Sequence, residues 1–472
     1  MSRRLTKPVV LAIDIGTSSV RTALFDQKAQ RVPRSNAAQV YRVRHSSEHG
    51  AELDPQVLLR ATRKCLRHSR RLTKRRITAV AGSGFCHSLL GLDRTGQPLT
   101  PIFTWADARC AADAGQLRKK LDERAIQQRT GCMLRASFWP AKLLWLRRTQ
   151  PKLFRRVARW VSPAEWLFEE IFDVRACSHS MASATGLYNF QRRDWDEELL
   201  VACGLTSAQL NPLREKVLLE DLIVYPAIGD GAASNLGSGA TGRGVVAINV
   251  GTSAAVRTIP VDDAALPFGL FRFVVDDRRA LLGGAVSNAG NLRTWCLREL
   301  RLPDDEPHLE KILRQASPAT AGLTILPFWV SERAPTWPEH LDGVIHGLIQ
   351  ATTAADLLWA ATAAVCHRLA EILLQLESAI GRARKIVVSG GILQSPASLQ
   401  ILANSLGRDL NVCADQEASL RGAALYALEK AGRKIAAPKC RQRIRAQRSN
   451  AARARLMCAR QSNLERLLSS AG

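Results

Sequence analysis

Short apolar runs punctuated by polar turns alternate along this 472-residue chain with longer stretches of helical periodicity. The short runs predict strands at 8–14, 20–26, 77–83, 245–250, 255–259, 280–283 and 385–389. The longer pattern predicts helices at 55–72, 108–121, 140–148, 354–379, 397–406 and 417–431. Strands alternating with helices describe an α/β protein of two lobes, with a boundary near residue 241.

Two of the strand pairs echo each other. Residues 13–21 read Ile-Asp-Ile-Gly-Thr-Ser-Ser-Val-Arg, and residues 248–257 read Ile-Asn-Val-Gly-Thr-Ser-Ala-Ala-Val-Arg. Each copy is an apolar strand, a Gly-Thr-Ser turn and a second β-prone stretch. The copies lie 235 residues apart, about half the chain, as expected for two related halves. Glycine permits a tight bend whose successive amides point into a concavity suited to phosphate oxygens, and the Thr and Ser hydroxyls add donors. An ordinary hairpin turn would explain one copy. Two copies at half-chain spacing point to phosphate binding by Gly16, Thr17 and Ser18, and by Gly251 and Thr252. A third glycine signal, Ser389-Gly390-Gly391, follows a predicted strand and leads into Ser395-Pro396 and a helix, where a flat ligand can lie against backbone at a helix N-terminus. The literal dinucleotide fingerprint Gly237-x-Gly239-x-x-Gly242 is rejected, because it follows a helical stretch and precedes a strand, the reverse of the required order. Gly-Lys never occurs, which excludes a Walker A loop.

Charge changes the picture in one respect. The net charge of +25 is concentrated in two places. Arg60–Arg76 holds nine Lys/Arg and no acid, and Arg433–Gly472 holds eleven against Glu465 alone. In the first cluster Val57, Leu58, Ala61, Cys65 and Leu72 share one helical face, so its arginines form a solvated face without the aromatic platform that single-stranded nucleic acid needs. Nucleic acid is therefore not expected as a partner, and a positive field suits small anions such as ATP and a sugar acid. The eleven cysteines come no closer than eighteen residues (Cys440 to Cys458), which gives no metal or redox motif and suits reduced thiols in the cytoplasm. The apolar run Val9–Ile13 ends at Asp14, too short for a signal peptide core, and no run is long enough to span a bilayer, so no membrane association is expected.

Several polar residues stand where chemistry is possible. Asp14 ends a strand beside the first turn: it is either a turn cap or a carboxylate that meets phosphate through a divalent cation such as Mg²⁺. Asp230, in Gly229-Asp230-Gly231-Ala232-Ala233, serves equally from spacing alone as a helix N-cap or as a carboxylate that accepts a hydroxyl proton during phosphoryl transfer. His87, and Trp105, Asp107 and Arg109 of Trp-Ala-Asp-Ala-Arg, offer a flat face and polar partners for a sugar, or else a core tryptophan and a helix cap.

Taken in order, Asp-Ile-Gly-Thr-Ser, His-Ser, Trp-x-Asp-x-Arg, Gly-Asp-Gly-Ala-Ala, Gly-Thr-Ser and Ser-Gly-Gly resemble the FGGY carbohydrate kinases across about residues 8–432. His87–Asp93, Pro101–Arg109 and Ser180–Gly186 are similar to the gluconate kinases within that family. The resemblance implies two actin-like (ribonuclease-H-like) domains with a central cleft: 1–241, carrying the sugar site, and 242–434, carrying the adenosine site, followed by a basic C-terminal tail at 435–472. It implies Asp230 as the catalytic base, Asp14 as the Mg²⁺ ligand and the two Gly-Thr-Ser turns on the phosphates. It further implies Gly390, Gly391 and Ser395 beside the adenosine, and His87, Trp105, Asp107 and Arg109 around the sugar. The implied reaction is ATP plus D-gluconate to ADP plus 6-phosphogluconate, with another polyol or ketose such as xylulose as the alternative substrate. A non-catalytic actin-like sugar sensor is the alternative of another class, and a homodimer is compatible with the sequence. The chain departs from the family pattern at Arg135-Ala136, where relatives commonly carry His-Pro or His-Ser, and around Trp359 and Ala363, where an Arg and a Glu are often found. Arg109 and Arg135 are the candidate cations for a gluconate carboxylate.

Overall fold

The computed structural model describes residues 8–71, 75–260, 264–315, 322–414 and 417–470. The chain divides into two compact units. The first comprises 1–239, 271–281 and 417–437, and the second 240–270, 282–416 and 438–472. The division is thus discontinuous, unlike a single cut near residue 241: the helix Ala418–Lys430 returns to the first unit.

The first unit is built on a six-stranded sheet. Val9–Ile15 and Ser19–Phe25 form an antiparallel hairpin that Ala37–Val40 extends. On the other side of Val9–Ile15, the strands Ile77–Gly84 and Leu222–Gly229 run parallel to it. The second unit repeats this order. Its hairpin Val245–Val250/Ala254–Thr258 is extended by residues 282–286 on one side and by parallel Lys385–Ser389 and Leu410–Cys413 on the other. The echo of Gly-Thr-Ser motifs is therefore an echo of whole sheets: in each, five strands are ordered 3-2-1-4-5 and only the second runs against the other four, the arrangement of a ribonuclease-H-like unit. Val9–Ile15 is buried along its entire length because neighbours pair on both edges and helices cover both faces.

The strand Leu222–Gly229 has no counterpart among the predicted elements. Pro226 lacks an N–H, which argues against a central strand, and the parallel register is indeed irregular between Tyr225 and Ile228. The helix Pro55–Arg71 turns Leu58, Leu59, Cys65 and Leu66 inward while Arg60, Arg63, Arg67, Arg70 and Arg71 stay exposed, the solvated cationic face expected; Leu72 lies outside the described residues. The helix Ala354–Ile380 is long and apolar enough by composition to cross a membrane, but its apolar side chains form the core of the second unit.

The segment expected as a tail contributes a strand, Cys440–Ile444, on the edge of the second sheet, and a helix, Arg448–Ser470. Its one acid explains the docking. Glu465 is buried and accepts from Nη1 of the fully buried Arg368 at 2.7 Å, and Gln461 donates to the Ala364 carbonyl at 3.2 Å. Breaking such a pair leaves a buried charge unmatched, whereas the segment's arginines remain solvated outside.

Gly237, the first residue of the rejected dinucleotide pattern, has a packing role. The helix Asp230–Gly237 lies against Ala418–Lys430 so closely that a Cβ on Gly237 would sit 1.7 Å from the Ala418 carbonyl oxygen. A Cβ on Gly422 would sit 1.8 Å from that of Ala233. The two Ala-x-x-x-Gly spacings interlock, and the buried Arg421 donates to the Gly237 carbonyl at 2.7 Å. Gly422→Ala is expected to destabilise the protein by about 3 kcal/mol or more, since backbone and not a side-chain tip must move. Urea unfolding checks this, and a change below about 0.5 kcal/mol would refute the close contact.

Candidate active site

In the first unit the three parallel strands end in register. Asp14 pairs with Ser83, Ile15 with Gly84, and Gly84 with Gly229. Their carboxyl ends therefore release onto one sheet edge the turn Gly16–Ser18, the segment Phe85–Ser88 and the helix beginning at Asp230, the edge where open α/β sheets place their ligands.

The first turn is clamped from several sides. The Gly16 amide donates to the Ser19 carbonyl at 2.9 Å, and Tyr41 donates its hydroxyl to the Gly16 carbonyl at 2.5 Å and its amide to that of Ser18 at 3.0 Å. Trp105 donates Nε1–H to the Thr17 hydroxyl at 3.0 Å. Among the described residues no protein acceptor takes the amides of Thr17 and Ser18, which leaves them for an anion.

Asp14 is buried, and Ser83 donates its hydroxyl to Oδ1 at 2.5 Å while Arg21 lies 4.0 Å from Oδ2. Burial lifts its carboxyl to about 6; Ser83 and Arg21 oppose the rise, and the negative charges of Asp230 and Glu417 add to it. Asp230 occupies the first position of its helix, with Gly229 as the N-cap, so it is not the cap that one reading of the sequence allowed. Its Oδ1 accepts from the Gly231 amide at 2.7 Å and from the Cys86 thiol at 3.7 Å. His87 holds a left-handed backbone (φ 65°), which strains a residue with a Cβ. It is fixed by Nδ1 at 2.5 Å from the Ala184 carbonyl and by the rings of Phe138 and Phe273 at 4.7 and 5.5 Å.

The Trp-x-Asp-x-Arg motif divides its labour. Asp107 is buried and accepts from the Ala51 amide at 3.0 Å and from Arg109 Nη2 at 2.5 Å. Arg109 also reaches Glu52 at 2.7 Å and lies 4.6 Å from the Trp145 ring centroid. Burial raises the Glu52 carboxyl, yet hydrogen bonds from Arg44 and Arg109 outweigh it and hold the group below its ordinary value. Asp107 and Arg109 thus spend their charge on each other and on the segment 50–53, and this network carries Trp105 to Thr17. Arg135, likewise, pairs with Glu123 at 3.0 Å.

In the second unit the Gly251 amide donates to the Ser253 carbonyl at 2.9 Å, and the helix Gly290–Glu299 donates the Gly290 and Asn291 amides to the carbonyls of Gly251 and Thr252 at 2.9 and 3.1 Å. Gly390 sits at φ 95°, where a Cβ would be 2.4 Å from the Val250 carbonyl oxygen, so only glycine lets Gly390-Gly391 cross the end of that strand. Ser395 caps the helix Pro396–Leu406 through the Ser398 amide at 3.1 Å and donates to Glu310. Among the residues assembled around the first turn, Tyr41, Ser83 and Cys86 were not singled out from the sequence. Ser83 between two glycines at a strand end was the available signal, but only the register brings it to Asp14.

Two family models cover most of the chain: the N-terminal domain of the FGGY family of carbohydrate kinases matches residues 9–218, and its C-terminal domain matches 246–430. The chain belongs to the FGGY family of carbohydrate kinases. It is 27% identical to a gluconokinase of Bacillus subtilis (strain 168), covering 90% of this chain and 88% of the relative. It is 23% identical to a xylulose kinase of Staphylococcus xylosus, covering 89% and 90%. The crystal structure of a gluconate kinase from Lactobacillus acidophilus superposes with a TM-score of 0.88 at 23% identity, and a ligand-bound xylulose kinase from the same organism with 0.89 at 22%, each over 98% of both chains. The FGGY kinase therefore has the two-domain actin-like fold expected, and its activity is ATP-dependent phosphorylation of a carbohydrate.

The raised carboxyl of Asp14 makes a stability prediction with a definite sign. A folded-state value near 6 against 3.8 unfolded means that the group's contribution is most favourable below pH 3.8 and is lost as pH rises through 6. Asp14→Asn is expected to stabilise the kinase by roughly 2–3 kcal/mol at pH 8 and by little at pH 3.5. Chemical unfolding at the two pH values checks it, and an Asn variant less stable than the parent at pH 8 would contradict the burial argument.

Proposed function

We propose that this kinase transfers the γ-phosphoryl group of ATP to the terminal hydroxyl of a sugar acid, D-gluconate, giving ADP and 6-phosphogluconate in the cytoplasm. The observation that carries this reading is the shared sheet edge: Asp230, Asp14 and the first Gly-Thr-Ser turn leave neighbouring strand ends in one register. Asp230 takes the hydroxyl proton on a carboxylate oxygen as the sugar oxygen bonds to phosphorus and the bond to the ADP oxygen breaks. The amides and hydroxyls of Thr17 and Ser18 hold phosphate oxygens, as do the amide and hydroxyl of Thr252 in the second unit, with Gly251 shaping the turn that presents them. Gly390, Gly391 and Ser395 border the adenosine. His87 and Trp105 face the sugar, with Asp107 and Arg109 supporting Trp105.

Asp14 fits a magnesium ion. It is a lone buried carboxylate beside the phosphate turn, and among the described residues no three His, Cys, Asp or Glu side chains cluster. A cation that keeps most of its waters and takes one carboxylate plus substrate phosphates suits that donor set. When bound, the ion would neutralise phosphate charge.

Gluconate is favoured by the match to gluconokinases at 26–27% identity over 455 residues. One observation favours a second reading, a neutral ketose such as xylulose: Arg109 and Arg135, the candidate cations for a sugar carboxylate, are each matched by carboxylates of the chain. An ADP-release assay over gluconate, xylulose and glycerol decides between them, and turnover of xylulose without gluconate would replace the first reading. Asp230→Ala is expected to lower kcat by about 10³-fold or more while ATP affinity stays within about twofold. A variant that keeps its turnover removes Asp230 from the mechanism, and a parent enzyme that binds ATP but turns over none of the three would be the sensor. Trp105→Phe keeps a smaller aromatic ring and loses the hydrogen bond to Thr17; KM for ATP should rise about fivefold, and an unchanged value would separate Trp105 from the phosphate turn.

A further inference from the structure

Within the second unit, the C-terminal helix Arg448–Ser470 roofs a cavity of about 290 Å³ over the helices Ala354–Ile380 and Pro396–Leu406. The family match ends at residue 430, so the roof is made by sequence beyond it. Trp359, Ala363 and His367 line the floor at helical spacings of four, on one face of their helix. Ile401 and Met457 complete an apolar lining.

Several polar groups of the wall are engaged with one another. Gln400 donates to the Asn404 side-chain oxygen at 3.0 Å, and the Gln447 amide donates to the same oxygen at 2.9 Å. His367 is 3% exposed. Because Gln461 uses its Nε2 on the Ala364 carbonyl, its Oε1 faces His367 Nδ1 at 3.1 Å, and an oxygen that only accepts requires the proton on Nδ1. Nε2 is then a lone-pair acceptor with no protein partner among the described residues. Burial holds this imidazole down at about 4, so it is neutral near pH 7. The cavity thus sets the apolar surfaces of Trp359, Ala363, Ile401 and Met457 beside the unanswered acceptor of His367, with Arg314, Gln400, Asn404, Ser405, Gln447 and Asn450 making the polar part of its lining. Its volume is nearly twice the ~150 Å³ of a dry cavity that accommodates benzene.

We propose that this cavity is a second binding site, outside the kinase centre, for a small neutral bicyclic aromatic molecule that donates one N–H or O–H to Nε2 of His367. The ligand's ring system packs against Trp359 and Ile401, and its donor satisfies an acceptor that the fold leaves open.

Isothermal titration of the full chain with indole, and with 1-methylindole of nearly the same shape but no N–H, tests the assignment. Indole is expected to bind saturably, and 1-methylindole at least about fivefold more weakly. Ala363→Phe fills the floor and should abolish indole binding. Because that variant's core is disturbed, Ala454→Leu on the roof is the second probe, with circular dichroism and thermal unfolding confirming the fold of both. Absence of saturable binding by indole overturns the site. Indole binding that survives both substitutions in folded protein locates it elsewhere and overturns it equally. Equal affinity for the two probes removes His367 from recognition.

Discussion

A carboxylate held out of water at the end of a central strand sets the terms for the rest of the first unit. Asp14 is ionised against the resistance of its surroundings, and what lowers that resistance is local and specific: one hydroxyl from Ser83 and one guanidinium from Arg21. Such a group is costly in the folded chain alone and becomes favourable when a cation or phosphate-bound metal meets it. The parallel register makes the arrangement possible, since a slip of one residue would turn Asp14 to the opposite face of the sheet and exchange Ser83 for a glycine.

Positions further out are determined by how closely backbones approach. Asp230 stands at the head of a helix fixed by the Gly237–Ala418 and Gly422–Ala233 contacts, where no side chain fits. The segment carrying Gly422 comes nearly two hundred residues later in sequence yet belongs to the same unit. The position of Asp230 thus depends on the chain's return. Likewise Trp105 reaches Thr17 beside a network in which Arg109 pairs with both Asp107 and Glu52. Residues with the chemistry of sugar recognition are here engaged in holding a neighbour, which is why charge alone is a poor guide to the substrate.

The C-terminal segment shows how composition misleads about structure. Its excess of arginine reads as a tail, but a helix needs only one buried stripe. Ala451, Ala454, Gln461 and Glu465 supply that stripe, with the acid matched by Arg368. The polar members of the stripe are legible only once their partners on the long core helix are known.

The strands and helices with strong local periodicity, the duplicated turn and the identity of the family were decided by sequence alone, because they depend on short motifs whose chemistry is contained within a few residues. Pro226 hid a central strand because the bulge that accommodates it is a property of the register and not of the residue. The partners of Asp14, the pairing of Arg109 and Arg135, the discontinuous units and the cavity above His367 were decided only in three dimensions. Most of these rest on contacts between segments tens to hundreds of residues apart, and burial, which sets the energy of a charge or an unanswered acceptor, exists only after those segments have met.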